Sequence, residues 1–90
     1  FSLLQNYPNP FNPSTNIQYA IGSRQFVTLK VFDVLGKEIA TLVNEEKPAG
    51  NYEVDFNVAQ EFFPANASGV YFYQLKAGDY VETKKMILMK

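Results

Sequence analysis

Ninety residues, 47% of them apolar, are enough for one hydrophobic core and too few for two, so the chain is expected to be one domain spanning 1–90. Eight basic and nine acidic residues are interspersed to a net charge of −1, which argues against nucleic acid as a partner, and no apolar run reaches the roughly 20 residues of a membrane-spanning helix. The absence of cysteine removes disulfides and thiolate metal sites and leaves the redox compartment open, while a start at Phe1 without a charged-then-apolar leader points to a piece of a longer protein, its signal peptide upstream if it is exported.

The first element is irregular. Residues 5–15, QNYPNPFNPST, hold three of the five prolines and three asparagines. Proline removes a ladder N–H and fixes its own φ, and the residue before it is pushed toward extended geometry, so Asn9-Pro10 and Asn12-Pro13 read as turn or polyproline-like steps. Asparagine side chains replace the missing ladder by bonding nearby backbone groups. The stretch is expected to be rigid without regular structure, packing Tyr7 and Phe11 against one end of the domain.

From Thr15 the apolar period is two, the mark of strands with one buried face. Ile17 and Tyr19 alternate with Asn16, Gln18 and Ala20, and Val27, Leu29 and Val31 alternate with Thr28 and Lys30. Ile39, Thr41 and Val43 lie on one face of the next run, Ala40 and Leu42 on the other. Asp33-Val34-Leu35-Gly36 between these runs is a turn, with an Asp to cap it and a Gly able to take positive φ. After Pro48-Ala49-Gly50, Tyr52, Val54 and Phe56 alternate with Glu53, Asp55 and Asn57. Residues 58–68 keep no period and read as a loop, with one helical turn over 59–62. VYFYQL, residues 70–75, is the densest β-forming run, and Gly78-Asp79 joins it to a last strand as a tight hairpin. Gln74, Lys76, Glu82 and Lys84 mark its solvent side, placing Tyr71, Tyr73, Leu75, Val81 and Thr83 inside. Adjacent Lys84 and Lys85 require a bulge or a frayed end, after which Met86 and Leu88, or Ile87 and Met89, face the core. The hairpin is expected to supply central strands, since an exposed VYFYQL edge invites intermolecular pairing. About seven short strands between turn signals predict an all-β, immunoglobulin-like antiparallel sandwich.

Little in the chain suggests catalysis. Histidine and cysteine are absent, so acid-base and nucleophilic chemistry lack their usual carriers, and the acidic residues fall at turns or outward strand positions. Asn6, Asn9 and Asn12 recur at every third position with no interleaved acid, which suits turns better than calcium. Aromatics such as Tyr7, Phe11, Phe63 and Tyr80 could stack on a sugar but serve more simply to staple loops to the sandwich. No enzyme activity, cofactor or metal is expected.

Taken together, the residues 5–15 run, Ile17-Gln18-Tyr19, Val31-Phe32-Asp33 with Gly36, Ala49-Gly50, Ser68-Gly69-Val70-Tyr71-Phe72-Tyr73 and Thr83-Lys84-Lys85-Met86 resemble the C-terminal sorting domain of type IX secretion cargo, almost end to end. One departure is Val54-Asp55-Phe56-Asn57 where relatives tend to carry a Trp-Asp-Gly-like stretch; Phe56 takes the buried tryptophan's place. The resemblance implies a non-catalytic module at the end of a larger N-terminal cargo. That cargo passes the periplasm of a Gram-negative bacterium and is addressed by the module to the outer-membrane translocon, where a sortase-like signal peptidase removes the domain. The destination is the cell surface or the medium. Lys84, Lys85, Met86, Ile87, Leu88, Met89 and Lys90 are the expected recognition residues, the lysines supplying charge and the rest a strand edge or apolar grip as in β-augmentation. Asn9, Pro10, Asn12, Pro13, Thr15, Asp33, Gly36, Gly50, Gly69 and Tyr71 are the expected structural positions of the motif. The alternative is an accessory module that binds glycan or a partner protein beside a secreted enzyme.

Overall fold

In Ser14–Ile21 every second residue turns inward: Thr15, Ile17, Tyr19 and Ile21 are buried while Gln18 is exposed, and the segment forms a strand, β2. The computed structural model describes residues 1–58 and 69–89, and the same period of two is plain in the strand Gln25–Phe32 and over the later part of Tyr80–Leu88. In chain order the other strands are β1 (Ser2–Leu3), β3 (Gln25–Phe32), β4 (Glu38–Lys47), β5 (Gly50–Asn57), β6 (Gly69–Ala77) and β7 (Tyr80–Leu88). They form two antiparallel sheets, β1-β2-β5 and β4-β3-β6-β7, packed as the expected immunoglobulin-like sandwich. The core lies between them: Leu3, Ile17, Tyr19, Ile21 and Phe56 from one sheet meet Val27, Leu29, Val31, Tyr73, Leu75, Met86 and Leu88 from the other. Phe11, from the segment ahead of β2, closes one end by packing edge-to-face on Phe56 at 6.1 Å between centroids. At the other end Phe1 stacks on Tyr80 at 5.6 Å. The helical turn expected over 59–62 lies outside the described residues.

The hairpin turn sets the phase of β7, and four expectations are corrected by it, the strand order and the β3–β4 register. Gly78-Asp79 is a two-residue loop that pairs Ala77 with Tyr80, Gly78 taking φ +61°. Because opposite residues share a face, buried Ala77 brings Tyr80, and with it Glu82, Lys84, Met86 and Leu88, to the inner side. Val81 and Thr83 are therefore outside, not inside. No bulge is needed at Lys84-Lys85: pairing runs unbroken from Gly69↔Leu88 to Ala77↔Tyr80, and Lys84 points to the sandwich rim. VYFYQL is central, between β3 and β7, but β7 is an edge strand. Between β3 and β4 the register shifts, with Leu29 opposite Val43 and Lys30 opposite Thr41, so Leu42 is extra. The shift puts Ala40 and Val43 on one face, opposite Val31 and Leu29, where plain alternation separates them.

The β3–β4 turn is held by Asp33. Its Oδ1 accepts from the N–H groups of Leu35 and Lys37, both at 2.9 Å, and its carbonyl accepts from Gly36 N at 3.0 Å. Gly36 sits at φ +84°, where a Cβ is disfavoured. Asp33→Ala removes both side-chain bonds and is expected to lower unfolding free energy by about 1–2 kcal/mol, measured in urea. Asp33→Asn, which keeps Oδ1, should recover most of that loss.

Candidate functional site: the terminal strand and the segment covering its edge

The expected recognition residues divide by strand phase. Met86 and Leu88 are buried in the core, and Lys84 pairs with Glu82 at 3.2 Å on the inner rim. Lys85 and Met89 are exposed and Ile87 half-buried on the outer side. Glu82 also accepts the Tyr80 hydroxyl, and that bond, followed by the one from Lys84, holds its carboxyl below the usual carboxylate range. Of the two lysines only Lys85 lacks an ion pair among the described residues, so the charge expected from both is carried by one. Lys90 lies outside the described residues.

As an edge strand β7 would present a row of unpaired backbone groups. The Asn-Pro segment covers the later half of that row. Gln5 Nε2 donates to Lys85 O at 2.7 Å, Ile87 N to Asn9 Oδ1 at 2.9 Å, Phe11 N to Ile87 O at 2.9 Å, and Met89 N to Phe11 O at 2.9 Å. Phe11 thus makes a one-residue parallel bridge with Leu88 while its ring is buried. The strand edge expected to be open for β-augmentation is closed over residues 85–89 by the chain's own residues. What β7 leaves to solvent there is side chains, not a free backbone edge.

What holds this segment is a buried polar network. Tyr73, 0% exposed, donates its hydroxyl proton to Leu4 O at 2.7 Å and accepts from Asn6 N at 2.8 Å. Buried Asn6 donates from Nδ2 to Thr15 Oγ1 at 3.0 Å and to Pro8 O at 3.2 Å; Thr15 donates its hydroxyl proton to Pro8 O at 2.8 Å. Tyr7 pairs with Asn16 through both backbone groups, but its ring is 80% exposed and does not pack on the sandwich as expected. Burial pushes the Tyr73 hydroxyl up to about 12, with the Asn6 N–H opposing the rise and Glu82 adding to it. Tyr80 is also raised to about 12, by burial and then by its bond to Glu82.

The motif positions fall around this network. Thr15 lies within it and Asn9 on the β7 edge, while Pro10, Asn12 and Pro13 are exposed at the crossing, with the Pro13 carbonyl accepting from Val58 N at 2.9 Å. Asp33 and Gly36 form the β3–β4 turn, Gly50 opens β5, Gly69 opens β6, and Tyr71 is half-buried opposite Met86. Tyr73, Asn6 and Gln5 were not among the expected site residues. Thr15 was the available clue: a hydroxyl in phase with Ile17, Tyr19 and Ile21 must find a buried partner.

Two outcomes follow. Asn9→Ala should speed amide exchange at Ile87 at least tenfold while leaving Tyr71 unchanged. Because the fold favours neutral phenols at Tyr73 and Tyr80, their contribution is whole below the ordinary tyrosine value near 10 and is lost as pH rises through about 12. The urea midpoint should therefore fall between pH 10 and 12, less steeply in Tyr73→Phe, which itself loses about 1–3 kcal/mol through the unpaired Leu4 and Asn6 groups.

Neither the comparison with curated proteins nor that with solved structures gives a match. A family model described as the secretion system C-terminal sorting domain matches residues 5–89, from Gln5, whose side chain bonds Lys85 O, to Met89, whose N–H bonds Phe11 O. The chain belongs to the family of secretion system C-terminal sorting domains.

Proposed function

We propose that this chain is a non-catalytic address. Fused behind a larger cargo in the same polypeptide, it directs that cargo across the outer membrane by the type IX translocon to the cell surface or medium, with a sortase-like signal peptidase as its other partner. Membership of the sorting-domain family supports this reading. The observation that carries the assignment of residues is the phase of β7, in which Met86 and Leu88 are spent on the core and Lys85, Ile87 and Met89 are left on the outer face. A pre-folded sandwich presents that row at little ordering cost to its reader. The proposed division of labour is that Lys85, Ile87 and Met89 are read, while Lys84, Met86 and Leu88 keep the strand in place.

The test is export of a fluorescent reporter carrying a periplasmic signal peptide and these ninety residues at its C-terminus, in a type IX-competent bacterium and a translocon-deficient sibling. Delivery to the surface or medium is expected only in the competent strain. Joint substitution Lys85→Glu and Met89→Asp should reduce it at least tenfold with the urea midpoint unchanged, whereas Lys84→Gln should leave it within twofold. Equal export of the doubly substituted protein would remove recognition from this row, and retention of the intact fusion in both strains would remove the sorting reading.

A further inference from the structure

The outer face of the four-stranded sheet carries an apolar patch that the sandwich does not use. Phe32 and Phe72 stand opposite each other across β3 and β6, and both are half-buried. Lys85 is opposite Phe72, and Ile87 opposite Val70. At the near end the β3–β4 turn lifts Val34 and Leu35 into solvent, 66% and 89% exposed. Beside that turn is a shallow concavity of about 330 Å³, lined by Phe32, Val34, Phe72, Gln74 and Thr83 among others. Turns are usually polar, and the Asp33 bonds that rigidify this one need only backbone N–H groups. Folding therefore does not account for a valine and a leucine at its tip, whereas a rigid loop carrying apolar side chains is how binding sites are commonly built.

Charge points to the occupant. Lys37, Lys76 and Lys85, on this face and its turn, have no ion pair among the described residues, while Glu38 and Glu46 are already paired, with Lys30 and Arg24, and Asp33, which also lines the concavity, has its Oδ1 held by the Leu35 and Lys37 N–H groups. The opposite outer face carries Glu53 and Asp55, and neither β2 nor β5 contains a lysine or arginine. The molecule is thus polarised, with its apolar patch on the cationic side.

We infer that the face around Val34, Leu35, Phe32 and Phe72 docks a polypeptide segment of a partner protein in which apolar side chains are flanked by carboxylates. The apolar side chains fill the concavity beside the turn, and the carboxylates meet Lys85 and Lys37. This deepens the sorting reading, on which it rests for the partner's place in export, by giving the reader of the β7 row a second and adjoining grip.

The test is a titration of the isotope-labelled ninety-residue chain, followed by amide chemical shifts, which needs no translocon and so stands or falls apart from the export experiment. The probes are a synthetic peptide with central leucines flanked by glutamates, its leucine-lysine counterpart, and phosphatidylglycerol vesicles. The leucine-glutamate peptide is expected to move the signals of Val34, Leu35, Phe72 and Lys85. Its binding should weaken at least tenfold in Leu35→Asp and in Lys85→Glu, both at exposed positions whose substitution leaves the melting temperature unchanged. No shifts, shifts on the β2–β5 face, equal binding of the leucine-lysine peptide, or a response to the vesicles alone would each overturn the inference.

Discussion

The Tyr73 hydroxyl, sealed from solvent between the two sheets, needs one acceptor and one donor, and both come from the residues just ahead of β2. Leaving either backbone group unpaired in that setting costs about 1–3 kcal/mol. A single side chain on the central strand of one sheet therefore sets where the N-terminal segment can run. It must leave β2's edge after Leu4, pass over the hydroxyl at Asn6, and continue toward β7. Asn6 then extends the constraint, joining the segment to Thr15 and Pro8 so that the crossing is tied to both sheets.

The covering of β7 follows from that path. Once the segment has crossed, Asn9 and Phe11 arrive at the free edge, and their side-chain and backbone groups replace the eighth strand that the sandwich lacks. Residues 85–89 thereby gain partners on both sides, which suits a stretch that must remain ordered and must not pair with unrelated chains. The proline-rich composition serves this purpose, since a segment that crosses between sheets cannot itself be a continuous strand. A motif at the start of the chain and one at its end are thus two halves of one structural device.

Much of this fold was legible in the chain. Alternation at Ile17, Tyr19, Val27, Leu29 and Val31 identified the buried faces, and Asp33 with Gly36 identified a turn, because each signal is local. The phase of β7 was not legible from β7 alone. Lys84 and Lys85 are equally polar as letters, and the two-residue loop that aligns Tyr80 with Ala77 decides between them. Val43, grouped with Thr41 by plain alternation, was misassigned for a similar reason, since a bulge is a property of a strand pair. The site was harder still: the bonds from Asn9, Gln5 and Asn6 link residues 67 to 80 positions apart, a distance over which no periodicity carries information. Thr15 alone announced the network, by being polar in an apolar phase.

The stacking of Phe1 on Tyr80 has a mechanical consequence. Tyr80 begins β7 and Met89 follows its end, so at about 3.3 Å per residue the outer row begins roughly 17 Å from the stacked pair, at Lys85, and ends roughly 30 Å from it, at Met89. The long dimension of the domain is 39 Å, so Phe1 and Met89 stand toward opposite ends of it. The stacked ring is thus a fixed hold on the first residue, at the end of the sandwich away from Phe11 and Met89.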